Sequence, residues 1–117
     1  MYKRQLFVTP EYNYSIPGVL KNAIDAASRP YGESAWSGKP VAIMGASVGN
    51  IGTARAQYHL RQTFVFLNMY PVNQPEVMIG NAAQRFDQEG NLTDETTATL
   101  IKDLLQKLAD LTLKLRD

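Results

Sequence analysis

A carboxylate, two phenols and a carboxamide stand in a row at Glu11, Tyr12, Asn13 and Tyr14, directly behind Pro10. Four consecutive positions thus offer two flat rings and both hydrogen-bond donors and acceptors. A second concentration is small rather than polar: Gly45-Ala46-Ser47-Val48-Gly49-Asn50-Ile51-Gly52. Glycine lets a flat ligand approach the backbone closely. Gly45 to Gly49 also has the G-x-S-x-G spacing of a nucleophile elbow. That chemistry needs a histidine base late in the chain and on a loop, whereas the one histidine, His59, falls in the next helix. A serine hydrolase built on Ser47 therefore fits poorly, and His59 reads as a satisfied structural side chain. Lys21, Asp25 and Glu76 have side chains capable of catalysis, but nothing in their spacing demands it. The G-x-G-x-x-G dinucleotide fingerprint is absent. The plain alternative for residues 10–13 is a turn with a helix cap, its tyrosine a packing residue.

Both concentrations sit where strands end. Leu6-Phe7-Val8 is a short apolar run stopped by Thr9-Pro10, and Pro40 to Met44 is a second. Tyr70-Pro71-Val72 and Val77-Met78-Ile79 are extended pieces around Asn73 to Glu76. Strands are expected near 6–9, 40–45 and 70–79, and helices near 17–28, 53–68 and 93–115. Ser15 before Pro17 suits a helix start, as does Thr93 before Asp94 and Glu95. Leu100, Ile101, Leu104, Leu105, Leu108, Leu111 and Leu115 form one apolar stripe at helical spacing. Strand and helix alternate, which argues for a parallel sheet with helices on its faces. In such sheets ligands bind beyond the carboxyl ends of the strands, the edge where residues 10–16 and 45–52 emerge.

At 117 residues the chain is long enough for one domain, with 44% hydrophobic and 20% charged residues, an ordinary globular mixture. A net charge of +1 gives no electrostatic case for nucleic acid or an anionic membrane. With no cysteine and one histidine, a disulfide scaffold, a thiol nucleophile and a Cys- or His-rich metal centre are excluded. There is no signal-like start and no apolar run long enough to span a bilayer, so a cytoplasmic location is the expectation.

Residues 8–25, VTPEYNYSIPGVLKNAID, resemble the signature of the NADPH-dependent FMN reductase family, and within it the bacterial quinone and chromate reductases. Residues 38–62, GKPVAIMGASVGNIGTARAQYHLRQ, resemble that family's next strand, glycine loop and helix, and NQPEVMIG at 73–80 its fifth strand. The likeness runs over roughly residues 6–115 and leaves 1–5 outside the family pattern. It implies a flavodoxin-like α/β/α fold, FMN as cofactor and NAD(P)H as co-substrate. A quinone, a flavin or a metal oxyanion would accept the electrons. By the same resemblance Pro10, Glu11, Tyr12, Asn13 and Tyr14 line the isoalloxazine ring, largely through backbone groups, and Ser47 and Gly49 close its other side. Fixed N–H dipoles suit the negative charge that a reduced flavin gathers around N1 and the C2 carbonyl. The hydride chemistry is the flavin's, so no catalytic acid or base and no metal are implied. The family also implies a homodimer or homotetramer, with Tyr14, Arg55 and Glu76 in a polar network across the interface.

The departure matters as much. Family members begin with a strand and a loop that holds the FMN phosphate, and pass through two βα units of about 70 residues before the strand at 6–9. The expectation is a partial flavodoxin-like domain over residues 1–117, holding strands 3-4-5 of the family order 2-1-3-4-5. Its first strand would then be an open edge, and its leucine stripe partly uncovered. FMN binding should be weak. The alternative function is a non-catalytic flavodoxin-like fragment or assembly module that cannot hold FMN tightly.

Overall fold

The computed structural model describes residues 3–116. Its elements are β1 (Gln5–Val8), α1 (Gly18–Ala27), β2 (Pro40–Ala46), α2 (Ala54–Leu67), β3 (Tyr70–Pro71), β4 (Val77–Ile79) and α3 (Glu95–Lys114), with a 3-10 turn at Ala82–Gln84. All strand pairings are parallel and all involve β2. β1 lies on one side, in register from Gln5 opposite Val41 to Val8 opposite Met44. β3 and β4 share the other side: Tyr70 and Pro71 pair with Pro40 and Val41, and Val77 to Ile79 with Met44 to Ala46. The strand expected over 70–79 is therefore two short segments, and the interruption holds Pro75, which has no N–H for a ladder. The order β1-β2-β3 is the expected strand 3-4-5 arrangement.

Alternation along β2 builds two cores. Val41 and Ile43 pack with Ile24 of α1 and with Leu60, Phe64 and Leu67 of α2. Ala42 faces the other way, with Val72, Val77 and the α3 residues Leu104 and Leu108. Three layers result. Trp36 fastens α1 to this core, donating from Nε1 to the Ile24 carbonyl at 2.8 Å while Phe7 lies between its ring and Phe64.

Helix ends differ from expectation in two places. α1 has Pro17 at its N-cap and no side-chain cap. Ser15 is occupied elsewhere, pairing its backbone with Tyr12 and its hydroxyl with His59. α3 is capped by Asp94 and not Thr93: the carboxylate accepts from Thr97 N–H at 2.9 Å and Thr97 Oγ1–H at 2.6 Å. A charged acceptor suits the positive end of a helix better than a hydroxyl does. The leucine stripe is wider than the buried face, for Leu104 and Leu108 are buried while Leu105 and Leu115 are exposed. No helix among the described residues is long and apolar enough to cross a membrane.

Candidate functional site

The two chemistry-bearing loops meet at the carboxyl edge of the sheet. Thr9 N–H donates to Met44 O at 3.1 Å, so the chain beyond β1 leaves alongside β2. A tight reversal follows. Tyr12 and Ser15 exchange both backbone hydrogen bonds, at 2.9 and 3.0 Å, around Asn13 and Tyr14 with φ of 51° and 72°. Two positive φ values in a two-residue turn make it type I′. Asparagine tolerates that conformation, whereas a tyrosine there is held by something else. The holder is Arg55, whose guanidinium lies 3.7 Å above the Tyr14 ring. Pro10 and both tyrosines are exposed.

Arg55 also binds Glu11, Nε donating to Oε2 at 2.6 Å, while Oε1 accepts from Ala56 N–H at 2.9 Å. The Glu11 side chain is only 9% exposed. Burial pushes its carboxyl up, but the Ala56 N–H and the Arg55 guanidinium outweigh burial and leave it below the usual value. Glu11 thus caps α2, a helix whose own N-cap residue, Thr53, makes no side-chain capping bond. Its side chain is spent on structure. What residues 10–14 present outward is two phenol rings and the Asn13 and Tyr14 N–H groups, which have no partner among the described residues.

The glycine loop is stitched from within. Ser47 N–H donates to Ile79 O, and its carbonyl accepts from Ala82 N–H. Its hydroxyl donates to Gly49 O at 3.2 Å and accepts from Gly52 N–H at 3.0 Å. Ser47 is therefore a loop-shaping residue, and His59, on α2, meets Ser15 Oγ at 2.8 Å instead. Ser47 has no histidine partner among the described residues. Lys21 and Asp25 form an exposed i,i+4 ion pair. Gly45, Gly52 and Gly80 are dictated by crowding, since a Cβ on each would strike a neighbour within 2.7 Å. Gly49 is different. It has no positive φ, and a Cβ there would meet nothing within 4 Å. Nothing among the described residues calls for glycine at 49, and the space beside it is open.

Of the expected interface residues, Tyr14 and Arg55 come together, whereas Glu76 meets Tyr58. The hydrogen bond and charge of Glu76 raise the Tyr58 phenol above its ordinary value. Tyr58 was missed by reasoning from sequence. The available signal was its position three residues after Arg55, on the same helix face.

A family model described as NADPH-dependent FMN reductase matches residues 4–84. The chain belongs to this family. An NAD(P)H-dependent FMN reductase of Pseudomonas aeruginosa is 63% identical over 103 residues, covering 88% of this chain and 55% of that protein. A 2-hydroxy-1,4-benzoquinone reductase of a Burkholderia species is 53% identical over 104 residues, covering 89% of this chain and 57% of that one. Among solved structures, the flavoenzyme NAD(P)H:(acceptor) oxidoreductase FerB of Paracoccus denitrificans superposes with a TM-score of 0.83 at 41% identity, over 93% of this chain and 60% of that one. This FMN reductase family chain therefore spans about half the length of the relatives it matches, and its family match begins at Arg4.

Proposed function

We propose that this chain forms the ring-facing part of an FMN-dependent NAD(P)H oxidoreductase that reduces a quinone, a flavin or a metal oxyanion. The observation that supports it is that the loop carrying the type I′ turn at Asn13-Tyr14 and the loop carrying Gly49 leave adjacent parallel strands at one sheet edge. Bound FMN supplies the hydride chemistry. The chain's own residues supply a surface. Tyr12 and Tyr14 shield one side of a planar group from water. The Asn13 and Tyr14 N–H groups are free to donate to ring carbonyls, as preset dipoles. Gly49 admits the ring close to the backbone, and Ser47 keeps the loop in shape.

Arg55, a cation at this edge, is committed to Glu11 and Tyr14, and Arg85 to Asp94 and the Gly80 carbonyl. The FMN phosphate gains no charged partner from the groups just named. Titration followed by flavin fluorescence should therefore give dissociation constants of about micromolar or weaker, with riboflavin nearly equal to FMN. A charged hydrogen bond is worth about 1.5–3 kcal/mol, so loss of several separates micromolar from nanomolar binding. A nanomolar constant for FMN with much weaker riboflavin would overturn this account of the site.

The competing reading, a non-catalytic flavodoxin-like module, draws support from the chain's spanning only 55% of its Pseudomonas relative. NAD(P)H oxidation by the chain mixed with FMN and a quinone separates the two, for only the oxidoreductase exceeds the rate of free FMN. We also propose a homodimer or homotetramer in which Tyr14, Arg55 and Glu76 face a second copy, joined by Tyr58.

A further inference from the structure

We propose that Gln57 is a positioning residue for the glycine loop, acting through Thr53. The inference rests on the ring-facing reading of that loop and deepens it.

Gln57 is 0% exposed. Its Nε2 donates to Thr53 Oγ1 at 3.1 Å and to the Val77 carbonyl at 2.9 Å, while its Oε1 has no partner among the described residues. The orientation is fixed, because a carbonyl only accepts and the amide must turn its NH2 toward Val77. One buried acceptor is then left unsatisfied, which costs stability. An apolar side chain of the same length would remove that orphan but leave the buried Thr53 hydroxyl without its donor. What the glutamine contributes turns on the groups its amide holds.

Thr53 supplies the explanation. It is β-branched, buried, and has a φ of 68°, a region such residues avoid. Gly52 before it has a φ of 63°, with its backbone against Met78. This left-handed pair turns the loop into α2. Strain of this kind persists only where the surroundings over-determine it. Two observations name the surroundings. A Cβ on Gly45 would lie 2.1 Å from Thr53 Oγ1 and 2.5 Å from Thr9 O, so the Thr53 hydroxyl fills the floor between the two loops. The Gln57 amide then ties that hydroxyl to β4. Gly52, bonded to Thr53, donates the N–H that Ser47 Oγ accepts, so the latch reaches the loop's internal stitch. Gln57 holds Thr53, Thr53 holds Gly52, and Gly52 holds Ser47 beside Gly49.

The test uses the full chain with Gln57→Met, and Thr53→Ala as a second variant that removes the hydroxyl together with the γ-methyl. Three quantities are read: the thermal midpoint, amide exchange over residues 47–52 relative to α3, and dissociation constants for FMN and riboflavin. For Gln57→Met the midpoint should fall modestly, because the Thr53 hydroxyl loses its donor even as the orphan acceptor is removed. Exchange at Gly52 should rise about tenfold while α3 stays unchanged, a local opening and not a global one. Both dissociation constants should rise by the same factor, about tenfold, since the loop meets the ring and not the phosphate. Exchange over 47–52 that is unchanged, or that rises only in step with α3, overturns the proposal and leaves Gln57 as core filling. If Gln57→Met does not fold, Thr53→Ala carries the same exchange criterion. Absence of flavin binding in the unsubstituted chain counts against the proposed function, and loop exchange alone then decides the positioning role.

Discussion

The Glu11 carboxylate divides its two oxygens between a helix N-terminus and a guanidinium, so its charge belongs to the folded state's stability. Its carboxyl lies below its ordinary value of 4.5 when folded. A group depressed on folding contributes above its unfolded value, and the contribution is lost as pH falls through the folded one. The thermal midpoint should therefore drop as pH is lowered from 4.5, and Glu11→Gln should flatten that part of the profile. An unaltered profile would show that Arg55 and Ala56 do not hold the charge. Glu11→Ala at neutral pH should cost about 1.5–3 kcal/mol, the range for a charged hydrogen bond. Residues 10–14 allowed two readings from sequence, a ligand-facing run or a turn with a helix cap. At Glu11 the cap prevails, and the helix it caps lies 45 residues along the chain. No local pattern shows such a partner. The contact of Tyr58 with Glu76 was obscure for the same reason, for it requires α2 to lie beside the 73–76 connection.

At the scale of elements, alternating strands and helices were legible because each buries a periodic apolar face. The breadth of the α3 stripe misled. Leu104 and Leu105 look alike in sequence, yet one is buried and the other exposed. Leu104→Ala should destabilise by about 2–5 kcal/mol through the cavity it leaves, and Leu105→Ala by about 0.5 or less, as read by denaturant unfolding. Equal losses would mean that a second surface covers Leu105. The α3 cap was off by one position. Thr93 and Asp94 are both good caps, and the choice depends on Arg85, whose guanidinium pairs with Asp94 at 3.1 Å. Asp94→Ala should accordingly lower the thermal midpoint more than Thr93→Ala. The divided strand at 70–79 was visible as two extended pieces, but that both pair with β2 is a matter of tertiary register.

The whole molecule leaves one side of its sheet unfinished. β1 pairs with β2 alone among the described residues, and α3 packs on β2 and β4. Leu6 and Val8, alternate to the core-facing Phe7, are exposed, Val8 by 63%, and Leu105, Leu113 and Leu115 of α3 are also exposed. An open strand edge flanked by apolar side chains is a template for pairing with another chain. The polar cluster of Tyr14, Arg55, Tyr58 and Glu76 is a weaker drive, since exposed ion pairs contribute little. The purified chain should therefore scatter light as a species heavier than its 13.0 kDa monomer. Replacing Leu6 and Val8 by lysine places charge on the edge and should shift the population toward monomer. Arg55→Ala should leave association by the edge intact and remove only the part that the polar network supplies. A monodisperse 13.0 kDa species from the unsubstituted chain would overturn both routes. Loss of association in Arg55→Ala but not in the lysine variant would reverse their order and make the α2 face the interface.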